Sequence, residues 1–255
     1  MKKQEFLNYF TLDEREQVLS IYDKLLAGEK LNVPVCTQEF YPPNIWSKLK
    51  LIGEVLKVHI EFIGGMDQSE RRIIVFNYEE NMNLPYVILK IVCKSKFHKL
   101  THKDYLGAVM ALGIKREKFG DLVVNEDVAY IPTCKDISNF IIDNLNSIGK
   151  SPCTIEIVYN NNDVPKKKFQ ETIKLTSSMR LDCVVSSLTG LSRGASEKHI
   201  QEGMILVNYL PIKEKNHIIK EEDVLTIRQY GKFKIKQLLG TSSKGRIRFL
   251  AMKYI

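Results

Sequence analysis

Apolar positions along the chain change period several times, and each change marks an element. In TLDEREQVLSIYDKLLAG, residues Leu12, Val18, Leu19, Tyr22, Leu25 and Leu26 recur at helical spacing, and Gly28 is placed to end the helix. A second helix is predicted after the Pro42-Pro43 pair, in NIWSKLKLIGEVL. KVHIEFIGG and RRIIVFNY then read as two strands joined by a glycine-bearing loop. These elements predict an N-terminal α/β domain over residues 1–75.

From residue 76 the pattern becomes strand, helix, strand, strand, helix, strand. YVILKIVCK is the first strand, and THKDYLGAVMALG is the first helix, with Thr101 as N-cap and Gly113 as its stop. DLVVN and VAYIPT pair around the turn NED, ISNFIIDNLNSI is the second helix and CTIEIVYN the last strand. Within an α+β chain this is the ferredoxin-like, RRM-like βαββαβ order, assigned to residues 76–165. Modules of this shape that bind RNA stack bases on aromatic residues of the central strands. Here the central strands offer only Tyr86, at an edge, and Tyr130, without the RNP1 pattern. A structural or protein-contact role is expected for this sheet.

The polar, basic stretch NNNDVPKKKFQ marks a second boundary, and FQETIKLT follows it as a strand. SSMRLDCVVSSLTGLSRGASEKHIQEGMILVN holds two short helices. The first carries the apolar stripe Met179, Leu181, Val184, Val185 and Leu188 and breaks at Gly190; Ser192 caps the second, which ends at Gly203. MILVN, VLTIRQYG, KFKIKQLLG and RIRFLAMKYI are strands, so the last domain, residues 176–255, is two helices on a small sheet.

Charge changes the reading of this last domain. The chain carries a net charge of +8, and residues 176–255 hold 14 Lys and Arg against 7 Asp and Glu. From Val224 onward there are eight basic residues and no acid. One sign segregated to one end favours a polyanionic partner. Arg193 stands at the first turn of a helix, where the helix dipole disfavours a cation, and is expected to reach an anion outside the protein. Arg180 either joins it there or pairs with Asp182. Lys232, Lys234, Lys236, Lys244, Arg246 and Arg248 are expected to attract phosphate without reading sequence. Lys198 and Arg228 complete this candidate surface, with Ser192 beside Arg193. In the middle domain, Lys115, Arg116 and Lys118 sit in the loop GIKREKFGD, read as a binding loop over the alternative of a solvated turn. Arg71 and Arg72 follow Glu70 and fit an interface ion pair equally well.

Little else in the chain suggests catalysis. Cys36, Cys93, Cys134, Cys153 and Cys183 form no C-x-x-C pair, so they read as small buried hydrophobes. His98 and His102 lie four apart, but Lys99 replaces the glutamate that zinc-protease chemistry requires. No run of about 18 apolar residues is present, and the charged N-terminus does not read as a signal peptide. A cytoplasmic protein with no metal and no cofactor is expected.

The C-terminal motifs resemble the S4 RNA-binding domain, with its αL arrangement: R-L-D at the first helix, S-R at the second, G-x-x-x-V-N at the turn into the strand, and the tail IKEEDVLTIRQYGKF. In that tail Glu222 stands where glycine is commoner. S4 pseudouridine synthases use an R-L-D aspartate as nucleophile, but their catalytic domain follows the S4 domain, and none follows here. Asp182 is therefore read as a helix-start acid.

Further upstream, GGMDQSERRIIVF at 64–76 and LTHKDYLGAVMALGIKREKFGDLVV at 100–124 resemble the signatures of the YlmH family. Lys103 departs from the arginine common after the histidine, and Met66 from an aromatic. The resemblance implies a non-enzymatic RNA-binding protein that associates with the large ribosomal subunit, through ribosomal RNA and tRNA. It also implies support of template-free nascent-chain tailing in ribosome-associated quality control, alongside other quality-control factors. A monomer without membrane attachment is expected. The alternative from another class is an RNA-modifying enzyme or a division-associated factor carrying an S4 domain.

Overall fold

The computed structural model describes residues 1–56, 58–94, 99–159, 164–165 and 169–254. The chain forms two compact units, Met1–Lys166 and Lys167–Ile255.

The first unit opens with α1 (Lys3–Leu7), α2 (Arg15–Leu31), β1 (Val35–Cys36), α3 (Pro43–Ile52), β2 (Ile60–Ile63) and β3 (Ile73–Phe76). The strands form an antiparallel sheet in the order β1-β3-β2. Helix α2 runs past the expected stop at Gly28 and ends at Leu31, where Asn32 takes the left-handed conformation with φ 50°. Gly28 serves packing instead: a Cβ there would stand 3.2 Å from the Cβ of Phe76. Pro43 opens α3 in its first turn, where no intrahelical N–H is needed.

The unit continues with β4 (Tyr86–Val92), α4 (His102–Met110), β5 (Val123–Asn125), β6 (Val128–Cys134), α5 (Lys135–Asn144), β7 (Ser147–Ile148), β8 (Ser151–Pro152) and β9 (Thr154–Val158). The expected strand-helix order is present, with the small hairpin β7–β8 added before the last strand. The four main strands are antiparallel in the order β5-β6-β4-β9. Thr101 and Asp104 form a reciprocal capping box on α4. Leu89, Ile91, Ala129 and Ile131 share one core with Tyr105 and Val109 of α4 and Ile141 of α5.

The opposite face of this sheet is covered at one end. Ile73 and Val75 of β3 cluster with Phe40 and Cys134, while Ile74 and Phe76 join the core beneath α2 and α3. Strand β3 is thus buried on both faces, which explains why IIVF is a continuous apolar run without alternation. The boundary expected at 75/76 falls inside this strand. Gly65, at φ 81°, packs so closely that a Cβ would stand 2.9 Å from the Tyr86 ring and 3.0 Å from Pro132; a Cβ at Gly120 would stand 3.0 Å from Pro132 as well.

The second unit contains β10 (Phe169–Thr176), α6 (Leu181–Thr189), α7 (Arg193–Gln201), β11 (Ile205–Val207), β12 (Leu210–Pro211), β13 (Val224–Ile227), β14 (Gly231–Thr241) and β15 (Ile247–Tyr254). The six strands are antiparallel in the order β10-β15-β14-β13-β11-β12. Strand β10 belongs to this sheet although it precedes the expected start at residue 176. Leu181, Val184, Val185 and Leu188 of α6 and Ile200 of α7 pack on Ile205, Leu225, Phe233, Ile235 and Phe249 of the sheet. Gly190 closes α6 at φ 79°, and the Ser192 hydroxyl accepts from the Ala195 N–H to cap α7. Among the described residues, no helix is long and apolar enough to cross a membrane.

Candidate nucleic-acid interface

The chemistry of the second unit centres on Asp182, in the first turn of α6 and fully buried. Arg180 donates from Nε to its Oδ1 at 3.1 Å and from Nη2 to its Oδ2 at 3.3 Å. Arg193, at the start of α7, donates from Nη2 to Oδ2 at 2.9 Å. Burial alone would disfavour the carboxylate, but the hydrogen bonds from Arg193 and Arg180 outweigh it and hold the Asp182 carboxyl below the usual carboxylate range. The bond to Asp182 in turn tightens the Arg193 guanidinium's hold on its proton.

This arrangement adds a second reason for the position of Arg193: the protein's own Asp182 already offsets the cation at the helix N-terminus. The same contact fixes a pair of guanidiniums on one carboxylate while leaving the Arg180 side chain 37% and that of Arg193 58% exposed. Arg193 also lines a cleft of about 170 Å³ with Arg246, Thr176, Ser177, Ser186 and Ser187. Cationic donors and hydroxyls around a small open cleft suit a phosphate group.

The other sequence-predicted cations are dispersed. Lys198 pairs with Glu202 one turn on, at 3.8 Å. Lys234 and Lys236 both pair with Glu222, at 2.6 and 3.3 Å. Glu222 has φ 69°, the backbone conformation that favours glycine, and its carboxyl is held below its usual range, first by the Lys234 hydrogen bond. The Lys232 ammonium stands 4.4 Å from the Tyr209 ring centroid and 5.2 Å from that of Tyr254. Lys244, Arg246 and Arg248 are exposed along and beside the β14–β15 turn, and Arg228 is exposed at the end of β13.

Lys115 and Arg116 lie in the first unit. Lys115 is exposed. Arg116 donates to the backbone oxygens of Phe119 at 2.8 Å and Gly120 at 3.2 Å, so its guanidinium staples its own loop. Asp121 accepts from the backbone N–H groups of Glu70 at 2.5 Å and Arg71 at 3.3 Å, and Arg71 Nη2 donates to the Phe40 carbonyl at 2.6 Å. Burial, with Arg116 nearby, lowers the Arg71 pKa to about 10, which still leaves it charged at neutral pH. The two upstream motifs are therefore bound to one another. Lys118 joins the same region through Asp136 at 2.6 Å, and Arg72 stacks 4.3 Å from the Trp46 ring centroid.

All five cysteines are free. Among the described residues, no group of three or more His, Cys, Asp or Glu is placed to hold a metal ion. The His98–His102 pair rests on His98, which lies outside the described residues.

A family model described as "Putative RNA-binding domain in YlmH" matches residues 80–162. The Bacillus subtilis (strain 168) protein named ribosome-associated protein quality control protein P2 is 27% identical over 250 residues, spanning 96% of this chain and 96% of its own. Both matches support the resemblance to the YlmH family. A solved structure, the cell division protein ylmH from Streptococcus pneumoniae, aligns over 61% of this chain and 97% of its own, at 21% identity and a TM-score of 0.48.

Sequence reasoning names the arginines but misses how they are organised. The R-L-D spacing hinted at Arg180 with Asp182; nothing local hinted that Arg193 shares the same carboxylate. Glu222 was noted only as a departure from glycine, yet it engages two of the candidate lysines.

Proposed function

We propose that the protein is a non-enzymatic RNA-binding factor of ribosome-associated quality control. It binds the large ribosomal subunit through ribosomal RNA and tRNA and supports nascent-chain tailing. The carrying observation is the pair of part-exposed guanidiniums held on buried Asp182, beside a cleft shared by Arg193 and Arg246. Fixed, planar cationic donors are the groups suited to phosphate recognition. The second unit then acts as an S4 domain, and residues 76–165 act as an RRM-like module that works beside it. Both carboxylate oxygens of Asp182 are engaged and the side chain has no exposed surface, which supports a structural anion over a nucleophile. The name of the Bacillus subtilis relative supports the ribosomal setting. The protein works as a monomer in the cytoplasm, without cofactor, alongside other quality-control factors.

The test is co-sedimentation of the full-length protein with isolated large subunits across a salt series. The parent should pellet with subunits at low salt and be released steeply as salt rises. The double variant Arg246→Glu, Arg248→Glu changes two exposed side chains and should lose about tenfold or more in affinity, since charge-assisted contacts are worth about 1.5–3 kcal/mol each. A parent that stays in the supernatant at low salt, or a double variant that pellets as well as the parent, refutes the reading.

A further inference from the structure

A second cleft, of about 410 Å³, lies on the helix side of the same sheet and is not used by the phosphate contacts above. Register explains how it forms. Gln170 lies opposite Lys253, Thr172 opposite Ala251 and Lys174 opposite Phe249, so alternate residues of β10 face the side on which Ala251 and Phe249 are buried. The end of α6, at Leu188 and Thr189, bounds the cleft and leaves the outer part of β10 and β15 uncovered. Gly231 takes φ 110°, and a Cβ there would stand 3.3 Å from Cε of Lys253, so glycine leaves room for that side chain along the wall.

The lining has three kinds of surface. Its floor is apolar and buried, with Phe233 as the flat element and Tyr230 beside it. The Lys253 ammonium stands 5.6 Å from the Phe233 ring centroid. Gln170 and Thr172 supply donors and acceptors on one rim, and Lys174 and Lys253 supply positive charge. No described carboxylate lines it. A ligand that fits needs a flat apolar body, a hydrogen-bonding edge and an anionic group. The volume lies within the range of about 300–1,000 Å³ typical of small-ligand sites.

We propose that this cleft takes one unpaired nucleotide of the bound RNA, with its base against the part-exposed Tyr230 at the margin of the Phe233 floor, its edge at Gln170 and Thr172, and its phosphate at Lys174 and Lys253. The proposal rests on the RNA-binding reading above and adds base capture to it. The second unit then distinguishes RNA with splayed-out bases from continuous duplex, a discrimination that phosphate contacts alone do not give.

The experiment measures fluorescence anisotropy of the full-length protein with two RNAs of equal length, a hairpin with an unpaired loop and a blunt duplex. Thr172→Trp, at an exposed position on an edge strand, fills the cleft; Lys253→Met removes one cation and leaves the floor. The parent should prefer the hairpin. Thr172→Trp should weaken hairpin binding about tenfold, the size of one lost stacked base, and leave duplex binding within about twofold. Lys253→Met should weaken the hairpin more than the duplex. Thermal unfolding of both variants checks the fold, and if Thr172→Trp is unfolded, Lys253→Met decides alone. Equal losses on the two RNAs, no loss on the hairpin, or a parent without preference overturns the nucleotide site while the RNA-binding reading stands. A parent that binds neither RNA overturns that reading and the cleft assignment with it.

Discussion

Asp182→Asn removes one charge from the centre of the second unit and keeps its shape. Three charge-assisted hydrogen bonds end on this carboxylate, at 2.9, 3.1 and 3.3 Å. The amide can still accept through its oxygen, but its NH₂ now faces guanidinium donors. Stranding a charge inside a protein costs about 3–5 kcal/mol, but that case does not arise here. The group left behind is neutral, and the two arginines are exposed enough to regain water. The expected cost is therefore that of lost charged hydrogen bonds, about 2 kcal/mol. For a unit of this size each kcal/mol moves the midpoint by about 4–8 °C, so the second unit should melt about 8–16 °C lower at neutral pH. The pH dependence has a defined sign. The folded pKa of Asp182 is depressed, so its contribution is complete above the unfolded value of about 3.9 and is lost as pH falls through the folded value. The difference between parent and variant should be open at neutral pH and narrow below about pH 4. Differential scanning calorimetry of the two full-length proteins measures both quantities. A variant that melts with the parent at neutral pH, or a gap that stays constant as pH falls through that window, refutes the idea that the ionised carboxylate organises the two arginines.

Gly65→Ala forces a side chain into a left-handed backbone, at about 1–2 kcal/mol, and against the Tyr86 ring 2.9 Å away. The first unit should lose at least about 2 kcal/mol in thermal unfolding, and a neutral result contradicts the close approach. Glu222→Gln leaves Lys234 and Lys236 without their shared carboxylate. RNA affinity should rise about threefold at low salt, with the gain disappearing at high salt. Unchanged or weaker binding at low salt shows that these lysines do not face RNA.

Legibility in the sequence follows the range of each interaction. Ser192 capping α7, Thr101 capping α4 and Gly190 closing α6 are settled within a few residues, so cap chemistry reveals them. Gly28 misled because glycine near a helix end usually reports backbone freedom; here it reports a neighbour, Phe76, far along the chain. The pairing of Arg193 with Asp182 spans 11 positions and two helices, and that of Asp121 with Glu70 spans 51. Neither pairing lies within one element, so no secondary-structure period reveals it. The charge count has the same limitation: it identifies a basic segment, but the distance from Glu222, in the turn before β13, to Lys234 and Lys236 on β14 decides how much of that charge is already spoken for.

Gly65, Gly120 and Pro132 meet in one place, with Tyr86 closing the contact on Gly65. In evolutionary terms these positions cannot drift independently. A side chain at Gly65 needs Tyr86 and Pro132 to shrink or move. One at Gly120 meets the same Pro132, and its Cβ would stand 3.2 Å from the Phe40 ring. Pro132 lies on a central strand, opposite Ile88, so its displacement would pass into the register of β4 and β6. A lineage that placed a side chain at Gly65 or Gly120 would have to pass through a less stable intermediate or change several residues at once. The contact acts as a steric lock on four separate stretches of sequence, two loop glycines held against two strand residues.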